Sequence, residues 1–206
     1  VPPLVSNGSL CMLVDYLGGQ SQRSYVNMTP TIFWEGRRYG PPKDQLVPFG
    51  HFETDVWADG KQLSAPARWT QTLDTRAAAV TCSTEYDNGL TVETAVFTPL
   101  FQDVIVIKKR LSSSAAALRS ARLTFRYRLA DKGSENRPPR RVTDTGAWNE
   151  SNKSAEFRFQ ADAYRACDGI VSVFSDKPVT AVIDRQDVAL TSEVALDAGQ
   201  PAEVTF

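Results

Sequence analysis

The sequence predicts an all-β protein, a large two-sheet antiparallel β-sandwich, and three observations carry that prediction. Apolar and polar residues alternate with a period of two in segment after segment of the 206 residues. Turn dipeptides separate these segments at close spacing, Asp59-Gly60 and Asn88-Gly89 being the clearest. Helical patterning is nearly absent, and the count of short strands should exceed about ten.

Taken in chain order, "HFETDVWADGKQL" from His51 reads as two strands joined at Asp59-Gly60. "AAVTCSTEY" and "LTVETAVF" flank Asn88-Gly89, a dipeptide that accepts the positive φ angles of a tight hairpin. A Phe97-Thr98-Pro99 break follows, and then "DVIVIKKRL", where Val104, Ile105, Val106 and Ile107 are consecutive β-branched residues. Such a run predicts a central strand covered on both faces, with Lys108, Lys109 and Arg110 at its wet end. The segment "SSSAAALRSA" (112–121) has the only helix-compatible composition, but it is short and lies between two strong strands, so a loop suits it equally.

In "ARLTFRYRLA", Leu123, Phe125, Tyr127 and Leu129 alternate with Arg122, Thr124, Arg126 and Arg128, which predicts a strand with one buried and one wet face. The polar stretch 131–154, with Pro138-Pro139, reads as a surface excursion. "AEFRFQADA" resumes the alternation through Phe157 and Phe159, and "QPAEVTF" closes the chain on a further alternating segment.

At 42% hydrophobic and 10% aromatic residues the chain can build a substantial core as one domain, residues 1–206. The ending on an alternating strand, without a polar tail, points to the N-terminal fragment of a longer enzyme. Twenty-three basic against 24 acidic side chains leave a net charge of -1, which gives no reason to expect a nucleic-acid partner. No apolar run approaches the roughly 18 residues that would span a bilayer, so no membrane partner is expected. The start "VPPLVSNGSL" lacks the regions of a signal peptide, although a leader already removed would place the protein in the periplasm or outside the cell. Cys11, Cys82 and Cys167 are odd in number and widely spaced, and each sits in an apolar strand pattern, so buried thiols are expected and neither metal nor cofactor is. Asn-x-Ser/Thr triplets occur at Asn7, Asn27, Asn149 and Asn152 and are too short to establish secretion.

Residues able to do chemistry are few. The single histidine, His51, has a pKa range suited to acid-base work, and Glu53 and Asp55 share one strand face beside it. No Gly-x-Ser-x-Gly motif is present, and no catalytic residue is assigned. The Gly- and Pro-rich segment 29–52 carries Phe33, Trp34, Tyr39 and Phe49 together with Arg37 and Arg38. Sugar rings stack on aromatic faces and accept hydrogen bonds from Arg and His, so Trp34, Arg37 and His51 are the candidate substrate-binding residues. The competing reading has Trp34 and Phe49 plugging the sandwich edge.

Two stretches resemble a known family. "LVSNGSLCMLVDYLGG" is similar to the Gly-Asn-Gly opening of the amino-terminal β-sandwich in glycoside hydrolases and phosphorylases of the maltose phosphorylase and α-L-fucosidase kind; Asn7, Gly8 and Leu10 match, and Cys11 stands where glycine is expected. "NGLTVETAVFTPLFQDVIVIKKRLSS" is similar to a strand pair of the same domain. The resemblance implies a supersandwich related to galactose mutarotase. It also implies a non-catalytic role, because in that family the catalytic carboxylates belong to a following helical barrel. The partners it implies are a carbohydrate and the C-terminal catalytic domain of the same chain. Two other readings stand beside it: a free-standing carbohydrate-binding module using loop 29–52, and a mutarotase-like enzyme using His51 with Glu53.

Overall fold

The computed structural model describes residues 3–7, 10–20, 33–35, 46–48, 51–115, 117–128, 140–161, 167–184, 187–197 and 200–206. These form strands and turns with no helix. The strands are β1 (Leu4–Ser6), β2 (Leu10–Leu13), β3 (Phe33–Glu35), β4 (Leu46–Pro48), β5 (His51–Ala58), β6 (Lys61–Leu63), β7 (Arg68–Asp74), β8 (Ala79–Glu85) and β9 (Leu90–Phe97). They continue as β10 (Val106–Ser113), β11 (Ser120–Arg128), β12 (Arg140–Thr145), β13 (Ser154–Ala161), β14 (Cys167–Phe174), β15 (Thr180–Asp184), β16 (Asp187–Ala195) and β17 (Ala202–Thr205).

Two five-stranded sheets, ordered β17-β10-β9-β8-β7 and β15-β16-β11-β5-β6, make the body of the sandwich. A four-stranded sheet, β1-β2-β3-β4, and a three-stranded sheet, β12-β13-β14, complete it, and the ladders are antiparallel. Alternation dictates the layering: in β9, Leu90, Val92 and Val96 turn inward, and in β11 Leu123, Phe125 and Tyr127 do the same. Both sets belong to one apolar core. At its centre Phe125 lies between Phe52, 5.5 Å away by ring centroid, and Phe206, stacked at 4.9 Å. Leu129 lies outside the described residues.

The turns refine the expectations. Asp59 (φ 49°) and Gly60 (φ 73°) form the two-residue hairpin between β5 and β6, both in the left-handed region that a type I′ turn requires. Between β8 and β9 only Gly89 is left-handed (φ 82°); the Gly89 N–H donates to Tyr86 O and the Tyr86 N–H to Leu90 O, which makes a three-residue loop rather than a tight Asn-Gly turn. The described residues of 112–121 hold no helix, and β10 runs to Ser113 while β11 starts at Ser120. The polar stretch 131–154 contains β12, so it is not wholly a surface loop.

The expectation for "DVIVIKKRL" needs correcting. The strand begins only at Val106, and Val104 to Val106 are partly exposed, so its two faces are not both covered. It is nonetheless an interior strand, paired with β17 and β9, and Lys109 turns inward rather than marking a wet end.

Asn7 joins the two stretches that carry the family resemblance. Its Oδ1 accepts from the Leu10 N–H at 2.8 Å, and its Nδ2 donates to Pro99 O at 3.0 Å and Gln102 O at 2.6 Å. The loop so held presents Phe101, 99% exposed and at φ 65°.

Candidate functional site

Of the three candidate binding residues, Trp34 sits in β3, opposite Leu10 and Val47 in the four-stranded sheet. His51 opens β5, a strand of a different sheet from Trp34, in register with Arg128 of β11. Arg37 lies outside the described residues, as do Arg38, Tyr39 and Phe49.

His51 leads instead to a site that sequence reasoning only touched, the outer face of the sheet β15-β16-β11-β5-β6. Antiparallel register sets its side chains in rows across the strands. One row runs Asp184, Asp187, Arg128, with the backbone of His51 in register at its end; the next runs Val182, Ala189, Arg126, Glu53; then come Thr180, Thr191, Thr124, Asp55; and a last row holds Glu193, Arg122, Trp57. The arginines of "ARLTFRYR" therefore stand in line down the middle of the face, with carboxylates on both sides.

Arg128 grips Asp187 through two parallel bonds, Nε to Oδ1 at 2.6 Å and a terminal nitrogen to Oδ2 at 2.8 Å, the strong fork geometry of a guanidinium on a carboxylate. Arg126 reaches diagonally past its row neighbour Glu53, and its Nε donates to Asp55 Oδ2 at 2.9 Å. Asp55 Oδ1 accepts from Gln62 Nε2, also at 2.9 Å. Glu53 and Asp55 are thus not an equivalent pair poised across a bond: Asp55 is committed to Arg126 and Gln62. Arg122 lies over the Trp57 ring at 4.3 Å, a cation–π contact. A depression of about 240 Å³ opens among Glu53, Arg126, Arg128, Val182, Asp184 and Asp187. Sequence reading missed Val182, Asp184 and Asp187 because they reach the face through cross-strand pairing, which no local motif announces.

A second polar cluster is sealed inside. Gln71, Cys82, Thr94, Lys109 and Val204 form one inward row of the other five-stranded sheet. Lys109 is 2% exposed, and its Nζ donates to Thr94 Oγ1 at 3.0 Å. Above it sits the turn "DYLGG". Gln71 Nε2 donates to Asp15 O at 2.6 Å, and Asp15 Oδ1 accepts from the Leu17 and Gly19 N–H groups at 2.9 and 2.8 Å. Gly18, at φ 74°, packs so closely that a Cβ there would stand 2.5 Å from Thr94 Cγ2. Burial pushes the Lys109 amine down from 10.5 to about 8, against the partial support of the Asp15 carboxylate. Burial also pushes the Asp15 carboxyl and the Cys82 thiol up. Cys82 is the buried thiol expected of it, and a buried thiol with a raised pKa is a packing residue rather than a nucleophile.

Among the described residues no group of His, Cys, Asp and Glu could hold a metal ion, and no helix is long and apolar enough to cross a membrane. Fold and site together define a two-sheet antiparallel β-sandwich with an arginine-lined outer face. No family model and no curated protein matches the sequence. Among solved structures the chain is similar to a "Putative kojibiose phosphorylase from human microbiome", with a TM-score of 0.63 and 8% identity, over 98% of this chain and 29% of that one. At 8% identity the likeness is one of fold. The chain spans under a third of that protein's length.

Proposed function

We propose that this sandwich is a non-catalytic domain of a carbohydrate-active enzyme, a glycoside hydrolase or phosphorylase whose reacting groups lie in another part of the parent protein. One observation carries the reading: nearly the whole chain follows the fold of a protein named as a kojibiose phosphorylase, yet accounts for only 29% of that protein. The chemistry of the described residues supports it. Asp55 is tied to Arg126 and Gln62, and the Lys109 and Cys82 cluster is closed to any substrate. In this role the domain stiffens its neighbour, and Trp34, Arg37 and His51 are the residues it would lend to a bound sugar.

The test is turnover by the parent protein. Supplied with kojibiose, maltose or aryl glycosides, with and without inorganic phosphate, it is expected to release sugar or sugar phosphate from at least one of them. Inertness across that panel would contradict the assignment.

A further inference from the structure

We propose that the depression on the outer face of β15-β16-β11-β5 is a binding subsite for one neutral hexose unit, with Glu53 and Asp184 accepting from its hydroxyls and Arg126 donating to them. The sugar class rests on the reading above; the site itself rests on geometry.

Its polar groups are unevenly committed. Among the described residues the side chains of Glu53 and Asp184 enter no hydrogen bond or ion pair, although both line a concavity beside two guanidinium groups. Arg126 uses Nε on Asp55, which leaves its terminal amino groups as donors held in a fixed plane. The surroundings are already braced, because Gln62 holds Asp55, Asp55 holds Arg126, and Asp187 holds Arg128. A ligand therefore meets donors and acceptors whose ordering cost has been met in advance.

The rest of the lining selects the ligand class. Sugar hydroxyls both donate and accept, so they suit alternating carboxylates and guanidinium groups, whereas the C–H face of a pyranose needs an apolar patch. Val182, 61% exposed between Asp184 and Thr180 on the same face, supplies one. Four carboxylates, Glu53, Asp55, Asp184 and Asp187, surround two arginines, Arg126 and Arg128, a balance that repels phosphate and anionic sugars. A volume of about 240 Å³ falls below the roughly 300–1,000 Å³ of sites for drug-sized ligands, which leaves room for one ring. A site this shallow should bind weakly, with Kd on the order of 1 mM.

The experiment is a titration of the ¹⁵N-labelled chain with D-glucose, maltose and kojibiose, reading the amide shifts of Glu53, Arg126 and Asp184, with spermidine as the cationic probe. Saturable shifts at these residues with at least one sugar are expected. Glu53→Gln and Asp184→Asn should each weaken them about tenfold, because the amide oxygen left in place accepts without the charge that strengthens the bond. Because both residues lie at the surface, the variants should melt at the wild-type temperature. No saturable sugar shift, shifts that survive both substitutions, or saturation by spermidine alone would each overturn the subsite. Binding is read without turnover, so an inactive parent protein with saturable shifts refutes only the enzyme reading, and an active parent without them refutes only the subsite.

Discussion

At the scale of single residues, Lys109 shows what parity along a strand determines. Ile107, Lys109 and Leu111 share one face of β10, and the two hydrophobes fix that face as the inner one, so the lysine follows them whatever its charge. Its burial was legible in the sequence, and reading "KKR" as a single wet cluster obscured it. The energetic consequence has a definite sign. Below about pH 8 the amine is protonated in both folded and unfolded chains and the burial penalty is fully present; between about 8 and 10.5 the unfolded chain keeps a proton that the folded one has shed, so stability rises with pH. Lys109→Met should therefore raise stability at pH 7 by about 1–3 kcal/mol and flatten that alkaline rise. Urea unfolding of both proteins at pH 7 and pH 9.5 checks it, and a difference that does not change with pH would contradict it. Asn7 teaches a different lesson: its triplet suggests glycosylation, whereas both ends of its amide are bonded to backbone. Asn7→Ala should cost about 1–3 kcal/mol by leaving those groups without partners, measurable as a lower urea midpoint.

Among elements, the strands with clean alternation were the most legible. β11 emerges as read from "ARLTFRYR", and the Asp59-Gly60 hairpin closes where its dipeptide says it should. β12 was not legible, because Pro138-Pro139 and the surrounding polar residues carry the local signature of a loop while its pairing with β13 is decided at a distance. For the same reason half of the outer-face site was invisible: Glu53, Asp55 and the arginines lie in readable strands, but Asp184 and Asp187 join them only through the β11, β16 and β15 ladders. The prediction at this scale concerns the packing of β11 on its neighbours. Phe125→Ala removes a ring held between Phe52 and Phe206 and should cost about 3–5 kcal/mol through the cavity left behind. Calorimetric melting would show it, and an unchanged midpoint would mean that the ring is not in the core.

For the whole molecule, two five-stranded sheets share one core and two smaller sheets complete the structure, an architecture whose class followed from alternation and turn chemistry alone. The candidate binding residues were harder to reach. Trp34 and His51 fall in different sheets, Arg37 lies outside the described residues, and the aromatic segment 29–52 lacks the periodicity that made the strands readable. The proposed division of labour places a polar scaffold here and the bond-breaking groups elsewhere in a parent protein. Assaying the purified 206-residue chain beside the parent protein, on kojibiose and maltose with inorganic phosphate, tests that division most directly. The account predicts turnover by the parent protein alone; turnover by the 206-residue chain on its own would place the chemistry in this sandwich and contradict it.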